Sequence, residues 1–281
     1  MQIAAPSNKI ANISSRFVSA YKSVGSKLTN KLEQTDVAIL FGANLIENSD
    51  LANIAKDTIY MHPVQIEQNA KYLKYEAGSE EGVALLLLDA LVNKSSLDSQ
   101  LSNFIDELDI GYLSAESSIS EEELEDLANL VSGSESVTLV VGSDIYTHES
   151  CENIAKVLAT IAKFSSVKVS AIDANLETEQ DSLDTKLTEP SQLPSYDGIV
   201  VYSVKSSANL LLGSSQFAMA AKVKDGDIVS FNINEKSYTK EFKLDKNLKG
   251  TIAINQTEDL EILSSYRFKR IQINKVGSEN E

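Results

Sequence analysis

The sequence lacks the residues from which most disulfide and cluster sites are built. It has one cysteine and two histidines among 281 residues. A disulfide framework needs paired cysteines, and an iron–sulfur cluster or a structural zinc site generally needs four ligands that are mainly thiolates and imidazoles. The chain alone is therefore not expected to hold a cluster, and its cysteine usage indicates a reducing, cytoplasmic compartment.

Long apolar runs are also missing. The best of them, Val83 to Leu88, is ended by Asp89 and falls far short of the roughly 20 residues that span a bilayer. The start of the chain has no apolar secretory segment. We therefore expect no direct membrane span, although an apolar content of 42% is enough for a buried core.

Acidic residues are absent from the first 32 positions, whereas the whole chain has a net charge of -16. The first 32 residues carry a charge of +5, and the remainder carries 20 basic and 41 acidic side chains. An acidic body repels the phosphates of nucleic acids and of anionic lipids. Neither is expected as a partner of the main fold.

The basic N-terminal segment has an amphipathic pattern. Its apolar residues recur at steps of three or four, which places them on one face of a helix: Ile10, Ile13, Phe17, Tyr21, Val24 and Leu28. Such a helix packs on its own chain, docks on a partner protein, or lies on a membrane surface as in a transit-like segment. The hypothesis that we carry forward is docking on a partner through Ile13, Phe17, Tyr21 and Leu28.

From residue 35 onwards, short apolar strands alternate with helices, which is typical of a parallel sheet covered on both faces. The strands are predicted at 37–41, 58–61, 137–141 and 167–172, and the helices at 50–56, 79–92, 98–108, 120–131 and 150–164. Ser120 and Glu123 have the spacing of a capping box, which predicts the start of the fourth helix. After residue 196, short alternating runs bounded by turns predict a mainly-β, barrel-like domain. The predicted division is an N-terminal helix (1–34), an α/β domain (35–174), an acidic linker (175–195), the mainly-β domain (196–276) and a tail (277–281).

Two stretches of the α/β region have similar residues at a constant spacing along the chain. Gly42 matches Gly142, Leu45 matches Ile145, and Asn-Ile-Ala-Lys occurs at both 53–56 and 153–156. The pattern predicts two similar βαβ units. Each glycine would end a parallel strand, which is where open α/β sheets bind their ligands.

A nucleotide phosphate at these glycines is one interpretation, because a turn into a helix N-terminus can cradle a phosphate. Each copy, however, has a single glycine and neither GxGxxG nor GxxxxGK[ST]. Four acids close by would repel a pyrophosphate: Glu47, Asp50, Asp144 and Glu149. We therefore favour turns that simply join strand to helix.

Cys151 and His148 lie three positions apart. A zinc site completed by carboxylates and a Cys–His nucleophilic pair both stay open as lesser alternatives, but no orienting residue or oxyanion hole is marked in the sequence. His62, just before Pro63, is expected to make a hydrogen bond in its turn. We predict no catalytic, cofactor-binding or metal-binding residue.

Four segments carry a resemblance to a known family. They are YMHPVQIEQNAKYLKYEAGSEEGVALLLLDALV (60–92), GYLSAESSISEEELEDL (111–127), VVGSDIYTHESCENIAKVL (140–158), and VKDGDIVSFNI with KLDKNLKGTIAIN (223–255). In this order they resemble the C-terminal, molybdopterin oxidoreductase-like part of the G subunit of bacterial NADH-quinone oxidoreductase, respiratory complex I. The resemblance covers about Thr35 to Asn274.

The resemblance implies a scaffold without a redox centre of its own. In that subunit this region has lost its cofactor, and the ferredoxin-like modules that carry its iron–sulfur clusters have no counterpart here. It also implies other subunits of the complex as partners, and a cytoplasmic location peripheral to the inner membrane. Two alternatives stay open: a fragment that binds a molybdopterin dinucleotide across the two glycine loops, and a free-standing adaptor protein.

Overall fold

The computed structural model describes residues 13–66, 69–178 and 185–277. The chain divides into two compact units, Met1–Pro63 with Asn69–Pro194 and Val64–Gln68 with Ser195–Glu281. In the described part of the chain, no helix is both long enough and apolar enough to cross a membrane.

The first unit is built on a parallel sheet of five strands in the order β3-β2-β1-β4-β5. The strands are β1 (Thr35–Phe41), β2 (Ala55–Met61), β3 (Lys71–Leu73), β4 (Val137–Val141) and β5 (Val167–Ala171). Every residue of β4 is buried, as expected where helices cover both faces of a parallel sheet. The predicted parallel α/β core is confirmed.

Seven helices of this unit are described. They are α1 (Ser15–Ser23), α2 (Glu80–Leu91), α3 (Ser99–Asp106), α4 (Ile110–Ser117), α5 (Glu121–Ser132), α6 (Ser143–Tyr146) and α7 (Cys151–Phe164), with 3-10 turns at Ser49–Asn53 and Lys94–Ser96. The predicted capping box opens α5, because Ser120 and Glu123 each accept the other's backbone N–H. Helix α7 packs against both α1 and α2.

The predicted duplication is wrong beyond the glycine turns. Residues 153–156 lie in α7, but the matching residues 53–56 end a 3-10 turn and begin β2. Ala55 is paired with Thr35 of β1, so pairing with the neighbouring strand overrides the helical pattern expected at 50–56. The unit therefore contains one βαβ crossover of the predicted kind, β4-α7-β5, within its described residues.

The N-terminal segment packs on its own body, which corrects the docking hypothesis. The four side chains proposed for docking are fully buried or packed against the core of the first unit: Phe17, Tyr21, Ile13 and Leu28. The ring of Phe17 lies 5.1 Å from that of Tyr146. The described part of the apolar stripe, from Ile13 to Leu28, thus packs within the chain and is not available to a partner. Ile10 lies outside the described residues.

Two basic side chains of this segment bind acceptors elsewhere in the first unit. Arg16 Nε donates to Glu152 Oε1 at 2.8 Å, and Lys22 Nζ donates to the carbonyl oxygen of Leu176 at 2.6 Å. Beyond α1, the N–H of Ala171 donates to the carbonyl oxygen of Thr29 at 2.8 Å. The segment therefore joins α7 and the edge of β5 instead of forming a separate unit.

The second unit is built on a mixed sheet of seven strands in the order β11-β6-β10-β7-β9-β8-β12. Its elements are β6 (Val200–Lys205), β7 (Leu210–Gly213), α8 (Ser215–Ala221), β8 (Ile228–Ile233), β9 (Lys236–Leu244), β10 (Ile252–Thr257), α9 (Leu260–Leu263), β11 (Phe268–Arg270) and β12 (Asn274–Lys275). The sequence pattern missed β7 and α8, which are only four and seven residues long. Phe217 and Phe242 lie fully buried in the core of this unit.

The second half of the predicted acidic linker packs against the first unit. Residues 185–194 form no helix or strand, yet Leu187 and Leu193 are buried in the hydrophobic core of the first unit. The polar, acidic composition and the two prolines of this stretch predict a linker, and two apolar side chains within it give no periodic signal against that prediction.

Candidate functional site

The candidate site lies at the carboxyl ends of β1 and β4. Strand order reverses there, because the chain proceeds from β1 to β2 on one side and returns to β4 on the other side of β1. Open α/β sheets bind ligands at such a switch point. Gly42 follows β1 and Gly142 follows β4, so the structure brings the two glycines together.

The two glycine loops touch through their backbones. Gly142 N–H donates to the carbonyl oxygen of Phe41 at 3.0 Å, and Asp144 N–H donates to that of Gly42 at 3.3 Å. A Cβ atom added at Gly142 would lie 2.2 Å from the oxygen of Gly42 and 2.3 Å from Cα of Ala43. Protein backbone therefore fills the position that a phosphate would need between the loops.

Apolar side chains complete this closure. Leu45 and Ile145, the second matched pair of the two similar stretches, are both fully buried. Gly42 has a φ of 60°, and a Cβ atom placed there would meet Cγ1 of Ile145 at 2.7 Å. The glycines are thus required for a left-handed turn and for close packing of two loops.

A buried histidine–carboxylate pair bridges the same edge. His62 Nε2 lies 3.1 Å from Asp144 Oδ2, and the side-chain exposures are 1% and 0%. His62 follows β2 and Asp144 lies in α6 after β4, so the contact spans the end of β1. The imidazole also stacks on Tyr60, with ring centroids 5.2 Å apart. The ring of His62 thus bonds across the sheet to Asp144.

The acids that were expected to repel a pyrophosphate have two different environments. Glu47, Asp50 and Glu149 are exposed, while Asp144 is completely buried against His62. The burial of Tyr60, followed by the charge of Asp144, raises the pKa of the Tyr60 hydroxyl well above its ordinary value. Of the four acids, Asp144 alone is therefore buried at the switch point.

His148 is held as a neutral imidazole. Its Nδ1 accepts the N–H of Ser150 at 3.1 Å, so Nε2 carries the proton and donates to the carbonyl oxygen of Gly78 at 3.2 Å. Burial lowers the pKa of His148, against the opposing effects of the Gly78 carbonyl and Glu149. Nδ1 therefore fixes the turn before α7, while Nε2 joins this turn to the loop before α2, where Glu80 Oε2 also lies 3.4 Å from Nε2.

Cys151 lacks the features of a nucleophile. Its side chain is fully buried, and burial raises the pKa of the thiol to about 11, although Arg16 opposes this rise. Reactive cysteines have lowered pKa values in exposed, positive surroundings. Among the described residues, no group of three or more His, Cys, Asp or Glu side chains is placed to hold a metal ion.

The environment of His148 predicts a loss of stability in mild acid. The unfolded chain binds a proton near the ordinary pKa of 6.5, whereas the folded protein binds it only at lower pH. Stability is therefore fully present above pH 6.5 and falls as the pH drops toward the lowered pKa. We expect the melting temperature of His148→Gln to change less between pH 7.5 and 5.5 than that of the wild type. If the melting temperatures of the two proteins changed equally with pH, this assignment would be contradicted.

Sequence patterns did not predict two buried polar sites, the His62–Asp144 pair and Lys240. The His62–Asp144 pair could have been suspected only from its position, because both residues follow parallel strands of one sheet. In the second unit, Lys240 is only 2% exposed and donates to Asn209 Oδ1 at 2.8 Å and to the carbonyl oxygen of Gln256. Burial lowers the pKa of Lys240 to about 8. Nothing in its sequence context separates it from the exposed lysines nearby.

Comparison with known proteins does not assign the chain to a family. No family model matches it, and no curated protein does. The solved structure of acetylene hydratase from Pelobacter acetylenicus is similar with a TM-score of 0.45 and 11% sequence identity, over 56% of this chain and 25% of that chain. This chain thus spans about a quarter of that enzyme. The function is therefore argued from the residues themselves.

Proposed function

We propose that this chain is a structural component of the peripheral arm of a complex I-like NADH-quinone oxidoreductase, with no redox centre of its own. The observation that supports a structural role is the backbone contact between the Gly42 and Gly142 loops. The assignment to complex I rests on the four sequence segments that resemble its G subunit.

A molybdopterin dinucleotide does not fit the residues present at the switch point. Its pyrophosphate would need backbone N–H groups in an open crevice. Here the N–H groups of Gly142 and Asp144 donate to Phe41 and Gly42, and Leu45 and Ile145 are buried at the same edge. The first unit therefore serves better as a rigid body than as a cofactor site.

The partners in this proposal are the cluster-bearing subunits of the peripheral arm, on the cytoplasmic side of the membrane. The acidic body favours partner surfaces that are basic. Helix α5 contributes exposed carboxylates on one side, namely Glu121, Glu122, Glu125 and Asp126. Because the N-terminal stripe is buried, contacts with these partners would use the outer surface of the folded units.

Two measurements test this proposal. The purified chain should contain no stoichiometric pterin, molybdenum, iron or flavin, as judged by fluorescence and metal analysis. A tagged chain isolated from its native cells should bring NADH-oxidising activity with it, whereas the chain alone should have none. Stoichiometric pterin or metal would instead support the dinucleotide-binding alternative. Isolation without any NADH-oxidising activity would support a free-standing adaptor.

A further inference from the structure

Residues 185–194, with the sequence TKLTEPSQLP, cross the helices of the first unit as an irregular extended segment that we call the strap. Its two leucines are six positions apart and point into the core, with exposures of 8% for Leu187 and 3% for Leu193. Thr188 and Glu189 between them are exposed. The strap thus has the alternation of buried anchors and exposed spacers that is typical of a bound peptide.

The first anchor is fixed by an amide side chain. Asn153 of α7 pairs with the backbone of Thr188 in both directions: its Nδ2 donates to the carbonyl oxygen at 2.7 Å, and its Oδ1 accepts the N–H at 3.2 Å. The same Nδ2 donates to Glu81 Oε1 of α2 at 2.7 Å. Two of these bonds hold the strap on α7, and the third orients the Asn153 amide by joining it to α2.

The second anchor is fixed by α4 and α2. Tyr112 Oη accepts the N–H of Leu193 at 2.8 Å. Gly82 provides the space for the leucine side chain, because a Cβ atom there would lie 2.7 Å from Cδ1 of Leu193. Lys156 Nζ supports the start of the strap by donating to the carbonyl oxygen of Lys186 at 3.2 Å.

Helix side chains thus bind the backbone of the strap at both anchors, in the way that a receptor binds an extended peptide. We propose that α2, α4 and α7 form a groove for an extended peptide with two leucines six residues apart, that the strap occupies it as an intramolecular ligand, and that a partner protein presenting such a segment displaces the strap. The groove is specific in two respects. The paired amide of Asn153 requires an extended backbone, and the space at Gly82 requires a branched apolar side chain. This proposal does not depend on membership of complex I.

The strap can be released while the groove stays intact. In the full-length double variant Leu187→Ser/Leu193→Ser the strap loses both anchors, but every groove residue is retained. A fluorescein-labelled peptide with the sequence of residues 185–194 should bind this variant at least tenfold more tightly than the wild type, as measured by fluorescence anisotropy. The matched control peptide, with serine at both leucine positions, should not bind. Adding Asn153→Ala to the double variant should weaken binding of the leucine peptide at least tenfold.

A second measurement needs no variant. Hydrogen exchange of the wild-type amides of Thr188 and Leu193 should be faster than that of the β4 amides, because release of the strap does not require the sheet to unfold. The proposal fails if the folded double variant does not bind the leucine peptide. It also fails if the two strap amides exchange only as fast as the core.

Discussion

Replacing Gly142 with alanine is expected to lower the free energy of unfolding of the first unit by about 3 kcal/mol. This value is the upper end of the usual cost of adding a carbon atom to a well-packed core. The added Cβ would lie 2.2 Å from the carbonyl oxygen of Gly42 and 2.3 Å from Cα of Ala43. Both are backbone atoms, so no side-chain rotation relieves the contact and the two loops must separate. Denaturant unfolding followed by circular dichroism measures this loss.

Gly111→Ala in α4 is the matched control. The atom nearest to the added Cβ would be Asp109 Oδ1 at 3.6 Å, which is an ordinary contact. Alanine also has a higher helix propensity than glycine. The Gly111 variant should therefore be at least as stable as the wild type. If Gly142→Ala were equally stable, the two loops would not be in contact and the switch point would be open to a ligand.

Replacing Phe17 with alanine should cost about 3–5 kcal/mol of stability, the range for truncating a buried phenylalanine. Phe17 is completely buried, and its ring lies between those of Tyr21 and Tyr146 at centroid distances of 6.2 and 5.1 Å. Thermal melting of the purified chain, without any partner present, measures this effect. Because no partner is present, a lower melting temperature would show that Phe17 packs within its own chain and does not act by docking on another subunit.

The neighbouring substitution Arg16→Ala is the control for this second prediction. It removes an ion pair with Glu152 whose side chains are 57% and 41% exposed, and such surface pairs contribute less than about 1 kcal/mol. A Phe17→Ala protein that melts like the wild type, while losing its association with other subunits, would restore the docking hypothesis and contradict the packing of α1.

Deletion of residues 1–32 should then act like the Phe17 variant, only more strongly. The segment supplies buried apolar side chains as well as the bond between Thr29 and Ala171 at the edge of β5. The truncated chain is expected to melt at a lower temperature. Any loss of association with partners would follow from this loss of stability.

Local patterns in the sequence were sufficient for much of the first unit. The continuous apolar runs at 37–41 and 137–141 predicted buried parallel strands, and the structure places them side by side with Val37 opposite Val137. The alternation of strands and helices predicted α7 at 150–164. The capping pattern of Ser120 and Glu123 predicted where α5 begins. Each of these signals is local along the chain, so it can be read without knowing what the element touches.

Tertiary structure decided the features that depend on distant residues. Asn-Ile-Ala-Lys is helical at 153–156, but at 53–56 it ends a 3-10 turn and begins β2, because Ala55 pairs with Thr35 of β1. The strap is held by Asn153 and Tyr112, residues 35 and 81 positions from their bonding partners. His62 and Asp144 are 82 positions apart. Composition and periodicity report which residues favour burial or a helix, but not which distant group a side chain will meet. For that reason the closed switch point and the occupied groove could be seen only in the folded chain.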